Sequence, residues 1–274
     1  MKFIIPFFAM IACAAADGLR SAKLTQVIND VQVYSGSKAP RQAAVDEKLS
    51  LPSSVQTGRN SRTELTFNDS TITRLGQNSV FSFTEGGRNV ELKQGSVLLQ
   101  VPKNAGGATI RTATVTAAIT GTTVMFECSP GKWIKSLTLE GTQKLFLKGS
   151  KKYVSVPAGM MIIMNPDAKE IPEPIVIDLK KLIATSPLAG NIPFGPLPPA
   201  ALEEIKKTLA EQLEKKRQGI LLPTDYVISG SGQRVADSVR RTGQSNRTMP
   251  EPPSRRIPDE EWEGPYDGPN QGPR

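Results

Sequence analysis

Between about Lys23 and Met164, apolar and polar residues alternate in short runs. Thr63, Leu65 and Phe67 fall on one side of such a run, as do Phe81 and Phe83, Val97, Leu99 and Val101, and Leu137 and Leu139. Glu64, Thr66, Ser82, Gln100 and Thr138 fall on the other side. Leu145 and Leu147, then Val154 and Val156, continue the series, with Phe146 as an apolar exception on the polar face. A two-residue period is that of a strand with one face buried. Glycines interrupt the runs at a spacing of about ten residues, which is an all-β signature. Six of them, Gly58, Gly76, Gly95, Gly121, Gly141 and Gly159, are read as structural turns, where a positive φ or a close approach of neighbouring chain favours a residue without Cβ. The pattern predicts an all-β domain of short Gly-separated strands over 17–165, built either as an irregular β-solenoid or as a flattened β-sandwich. No crisp internal repeat supports a regular solenoid.

Beyond Asn165 the composition changes: sixteen of the 22 prolines lie there. Proline removes a backbone donor and fixes φ, so 166–199 is predicted as a Pro-rich linker that does not continue the sheet. A short helix is predicted over Asp178 to Ala184, with Leu179, Leu182 and Ile183 on one side. A longer amphipathic helix is predicted over 200–218. Pro198 and Pro199 precede it, Glu203 and Glu204 are assigned to its first turn, Lys215, Lys216 and Arg217 to its last, and Gly219 follows. Glu203–Lys207 and Glu211–Lys215 stand at i,i+4 spacing. Leu202, Ile205, Leu209 and Leu213 make its apolar stripe, which either docks on the protein's own sheet or joins a second chain as a self-association face. The remainder, 219–274, is rich in Pro, Gly, Ser and Arg and is predicted as a disordered tail, because so few apolar residues cannot offset the entropy of ordering it.

Composition narrows the chemistry. The chain has 274 residues, a net charge of +8 and no histidine. A Ser-His-Asp triad, a Cys-His pair and His-ligated zinc are therefore excluded, and no cofactor or metal is expected. Met1-Lys2 followed by the apolar run Phe3–Ala12 and by Ala14-Ala15-Ala16 reads as a signal peptide over 1–16, cleaved before Asp17. A lipoprotein alternative uses Cys13, although Met10 stands where a lipobox usually has Leu. The mature chain is then periplasmic or secreted. Its longest apolar run, Met160–Met164, is far too short for a transmembrane helix. With Cys13 removed, Cys128 is the remaining thiol and is expected to be inert and half-buried in a strand.

Other motifs are weak. Gly230-Ser231-Gly232 lacks the strand and helix of a phosphate-binding loop, and Asn68-Asp69-Ser70 reads as a turn rather than a glycosylation sequon. Lys and Arg are scattered and rarely lie beside aromatics, which argues against nucleic acid. Paired carboxylates for glycan hydrolysis would have to come from Glu64, Glu85, Glu127 and Glu140, and nothing in their order brings two together. The expectation is a non-enzyme.

From Gln56 to Met164 the order of residues resembles the FecR domain of exported bacterial signalling proteins. The matching pieces are Thr57-Gly58 with Ser61-Arg62, then Leu65 to Gly76 and Asn78-Ser79, then Leu92 with Gly95, Arg111-Thr112, Gly121-Thr122, Leu139-Glu140-Gly141 and Pro157-Ala158-Gly159. The resemblance implies an all-β domain that binds and relays a signal without catalysis. Regulators of that type carry a cytoplasmic sigma-factor-binding segment and a membrane helix ahead of the domain. Here a leader stands in that place, so sigma-factor control is not carried over. Arg62 and Arg74, near Asp69 and Glu64, are read as hydrogen-bonded struts in preference to ligand contacts. The reading is an exported interaction or signal-relay module whose partner is an envelope protein or a cell-surface polysaccharide. An assembly subunit joined through the 200–218 helix and a carboxylate-dependent envelope enzyme are the alternatives.

Overall fold

The computed structural model describes residues 19–36, 38–84 and 88–218. The leader, Cys13, Glu85 and the 219–274 segment lie outside the described residues. In chain order the strands are β1 (Ser21–Ile28), β2 (Val31–Ser35), β3 (Arg41–Gln42), β4 (Lys48–Ser50), β5 (Ser53–Thr57), β6 (Arg62–Phe67), β7 (Ile72–Leu75), β8 (Val80–Phe83) and β9 (Asn89–Gln100). They continue as β10 (Ala108–Arg111), β11 (Val115–Ile119), β12 (Thr123–Ser129), β13 (Trp133–Glu140), β14 (Thr142–Leu147), β15 (Tyr153–Pro157), β16 (Met160–Met164) and β17 (Ile175–Val176). The helices are α1 (Leu179–Thr185) and α2 (Pro199–Arg217).

The chain passes back and forth between two stacked sheets. One runs β4-β1-β6-β7-β9-β12-β13-β16-β17 and the other β3-β2-β5-β8-β9-β10-β11-β14-β15. The long β9 serves both: its first half pairs with β8 and β10, its second with β7 and β12. Among the described residues only the β9–β10 ladder is parallel. Coils of a solenoid stack in parallel, so these antiparallel ladders decide for the flattened sandwich. Gly95 marks the place where β9 changes sheets. Its φ is +88°, and a Cβ there would stand 2.4 Å from Ser79 Cα, so no other residue fits without moving backbone.

Two cores result. Between the sheets lie Leu65, Phe81, Phe83, Leu92, Val97, Leu99, Phe126 and their neighbours, the inward positions of the two-residue period. Phe67 and Phe83 meet edge to face, with ring centroids 5.2 Å apart. The second core covers the outer face of the first sheet, hereafter the covered sheet. Leu98, Leu137, Leu139 and Met161 there pack against Ile177, Leu182, Leu188, Phe194, Leu197 and Ile205 from the chain beyond β17. Leu137 and Leu139 thus face this second core rather than the one between the sheets.

The Pro-rich region departs from expectation in one respect. Ile175–Val176 adds a two-residue strand to the edge of the covered sheet, pairing with Met160 and Met161. An edge position accepts a strand so close to Pro172 and Pro174, since one ladder suffices there. The helices form where predicted, with shifted ends. Asp178 caps α1 by accepting a hydrogen bond from the Lys181 amide. Because α2 begins at Pro199, Glu203 and Glu204 sit beyond its first turn, and they pair at i,i+3 with Lys206 and Lys207 rather than at i,i+4. Ile205 is buried, and Leu202 and Leu209 pack beside the second core. Leu213, the last of the stripe, is 52% exposed. The helix therefore docks on its own sheet. Gln212 supplies an unforeseen anchor: buried, it accepts from the Leu179 amide at 3.2 Å and donates to the Ile177 carbonyl at 2.9 Å.

Candidate interaction site

The covered sheet carries a cross-strand row of outward residues in register: Glu64, Arg74, Leu98, Met125, Leu137 and Met161. Its apolar members take the C-terminal cap. At the other end Arg74, 1% exposed, forms a strut: its Nε donates to Glu64 Oε2 at 2.8 Å, Nη1 to the Leu188 carbonyl at 3.0 Å and Nη2 to the Gly195 carbonyl at 2.9 Å. Its guanidinium also lies 5.2 Å from the centre of the Phe194 ring. Thr25 donates to the remaining Glu64 oxygen at 2.7 Å. Arg74 is thus the polar fastener of the cap, and Glu64 its counter-charge.

Asp69 is placed elsewhere. It accepts from the Thr71 amide at 2.9 Å, closing the turn between β6 and β7, and it pairs with Arg88. Arg62 joins neither pair and lies on the rim of a groove. Gly121, Gly141 and Gly159 have positive φ, whereas Gly58 and Gly76 do not and are instead closely approached by Asp30 and Ser96 side chains.

The groove, about 590 Å³ in volume, opens where the cap stops, between β12–β13 and the segment from α1 to Leu188. Arg62, Gln77, Met125, Trp133, Lys135 and Ser186 contribute to its lining. Lys135 is buried, donates to Glu127 at 2.8 Å and lies 5.4 Å from the Trp133 ring centre. Trp133 Nε1 is buried with no acceptor among the described residues. Cys128 also borders the groove, and burial pushes its thiol above the ordinary range, which suppresses the thiolate.

Of the four carboxylates considered for catalysis, the three among the described residues are engaged locally: Glu64 with Arg74, Glu127 with Lys135, and Glu140 with the Thr123 hydroxyl at 2.6 Å. Among the described residues no three His, Cys, Asp or Glu side chains gather as metal ligands.

Among the described residues the outer face of the second sheet, the open sheet, carries no such cap. A second row in register crosses it: Tyr34, Ser54, Ser82, Glu91, Arg111, Thr116, Phe146 and Tyr153. Ser54 and Ser82 hydroxyls bond at 2.7 Å, and the Tyr34 hydroxyl reaches Gln56 at 3.2 Å. Hydroxyls, amides and charges set between aromatic ends form a surface for hydrogen bonding and stacking, with its side chains already ordered by neighbouring strands. Of these positions the alternation in sequence marks Ser82 and Phe146. The other members, and the alignment of all eight into a row, depend on register, which no local signal carries.

Comparison with known proteins places the middle of this fold. The family model described as FecR protein matches residues 53–142. Two crystal structures, each described provisionally as an anti-sigma factor from Parabacteroides distasonis, are similar. The one at 1.65 Å resolution is 15% identical with a TM-score of 0.43, covering 56% of this chain and 74% of that chain. The one at 2.50 Å resolution is 13% identical with a TM-score of 0.41, covering 52% and 76% respectively. Among the curated proteins none matches. The folded unit extends beyond the family match on both sides, since β1 pairs with β6 and β13 with β16. Over residues 53–142 the chain carries a FecR domain.

Proposed function

We propose that this protein is an exported, non-catalytic signal-relay module whose ordered surface binds an envelope protein or a surface polysaccharide. The FecR domain supports a regulatory, signal-relaying role. The observation that carries the binding reading is the contrast between the two sheet faces: one is sealed by the C-terminal cap, the other presents a registered row of polar and aromatic side chains. A row of this kind, with its side chains set by neighbouring strands, has low ordering cost on binding. The groove beside Trp133 adds a second contact zone of the same character.

Export rests on the basic start, apolar run and small residues of 1–16. No helix among the described residues is long and apolar enough to cross a membrane.

The test is cross-linking in intact cells with the tagged full chain, followed by fractionation and identification of the captured species. The expected result is a defined envelope protein or polymer, captured by the wild type and lost in Ser54→Lys/Thr116→Lys. A tag found only in the cytoplasm, or equal capture by wild type and variant, would refute the proposal.

A further inference from the structure

The hairpin at the edge of the open sheet carries a charge imbalance with no counterpart in the described fold. Lys144 on β14, Lys148 and Lys151–Lys152 in the connecting turn are all exposed, and no acidic residue lies between Thr142 and Pro157. Among the described residues none of these four ammonium groups has a carboxylate partner, and while scattered lysines such as Lys38 and Lys93 share that, only here do four such lysines fall within nine residues. Beside them stand Tyr153, 50% exposed, and Phe146, with ring centres 5.5 Å apart. Lys144 Nζ lies 4.9 Å from the Tyr153 ring centre. Among the described residues β15 is paired on one side only, by β14.

The chain itself contains the complement. Ile257–Asp267 holds Asp259, Glu260, Glu261, Glu263 and Asp267, with Trp262 and Tyr266 and no basic residue. We infer that the β14–β15 hairpin is the docking surface for this acidic, aromatic segment of the same chain. Position favours it. Gln212 on α2 approaches the Gly159 carbonyl at 3.5 Å, just past the end of β15, and the described chain ends six residues later at Gln218. Helix rise puts Gln218 about 9 Å beyond that contact, and β15 is about 17 Å long. The roughly forty residues from Gln218 to Asp259 cover about 35 Å even as a random coil. Lysine–carboxylate pairs and rings against Tyr153 would then cover the strand edge, which otherwise invites pairing with other chains.

Zero-length carbodiimide coupling of the full chain reads this directly, because it joins lysine to carboxylate only in contact. The expected product, in the monomer band, links Lys148, Lys151 or Lys152 to Asp259, Glu260, Glu261 or Glu263. Its yield should fall at least ~10-fold in 1 M salt, where the screening length is about 3 Å, and equally in Lys148→Glu/Lys151→Glu/Lys152→Glu. A second variant, Asp259→Lys/Glu260→Lys/Glu261→Lys/Glu263→Lys, changes no described residue and should abolish the link, while combining both variants restores protection of β15 amides in hydrogen exchange. Absence of the monomer link overturns the inference. So does a link confined to the dimer band, which would assign the occupant to a second copy. Equal binding of polyglutamate by wild type and tail variant would assign the lysines to an external acidic partner, with the same consequence.

Discussion

The Arg74 guanidinium lies 2.8 Å from the Glu64 carboxylate across the β6–β7 ladder, and the same guanidinium holds two carbonyls of the C-terminal cap. One side chain thereby joins the FecR domain to chain more than a hundred residues later. A buried ion pair of this kind is costly to break from one side, because the partner charge stays buried alone. Arg74→Ala should lower the unfolding free energy by about 3–5 kcal/mol. Limited proteolysis should also cut first within 188–196. A loss below 1 kcal/mol, with unchanged cleavage, would contradict the fastening role.

The apolar stripe of α2 makes a contrast available within one helix. Ile205→Ala, in the second core, should cost about 2–4 kcal/mol in a denaturant titration. Leu213→Asp should change stability by less than about 0.5 kcal/mol. Light scattering on Leu213→Asp then separates assembly from docking: a change in mass would show that the exposed end of the stripe joins another copy. Leu209→Asp is a poorer probe, since Leu209 already packs beside the second core.

Two carboxyls should give opposite pH signatures. Burial pulls Asp178 upward, but hydrogen bonds from Lys216 and the Lys181 amide overcome it and hold the carboxyl below its ordinary value. Such a group adds stability that is complete above the unfolded value of about 4 and lost as pH falls through the folded one. Glu140 is raised by burial, against the opposing pull of Thr123 and Lys103. Its folded state resists ionisation, so stability is full below the unfolded value of about 4 and declines as pH rises toward the raised one. Urea midpoints from pH 2 to 8 should show Asp178→Asn less stable than wild type at neutrality and Glu140→Gln more stable, with both differences closing in acid.

Cys128 is 6% exposed and its thiol is raised by burial. Alkylation at pH 8 should be at least ~100-fold slower in the native chain than in denaturant, since reaction requires both opening and a thiolate. Rapid native labelling would show that the groove beside Trp133 reaches the sulfur.

The strands, the glycine-marked turns, both helices and the FecR resemblance were legible in the sequence because each depends on a local period, a backbone preference or residue order. Leu65, Phe81 and Val97 declared themselves by alternation, and Pro198-Pro199 announced the start of α2. The choice of sandwich over solenoid was not legible, because strand direction is set by pairing between distant runs. Nothing local in the sequence marks Gln212 as a buried anchor, and Arg74 gives no sign of the loop it holds. Leu137 and Leu139 read as inward positions, yet a strand covered on both faces has two inward sides, and only the arrival of the C-terminal cap decides which core each enters. Tertiary structure alone selected these partners, since a buried polar group is satisfied by whatever the folded chain brings within hydrogen-bond distance.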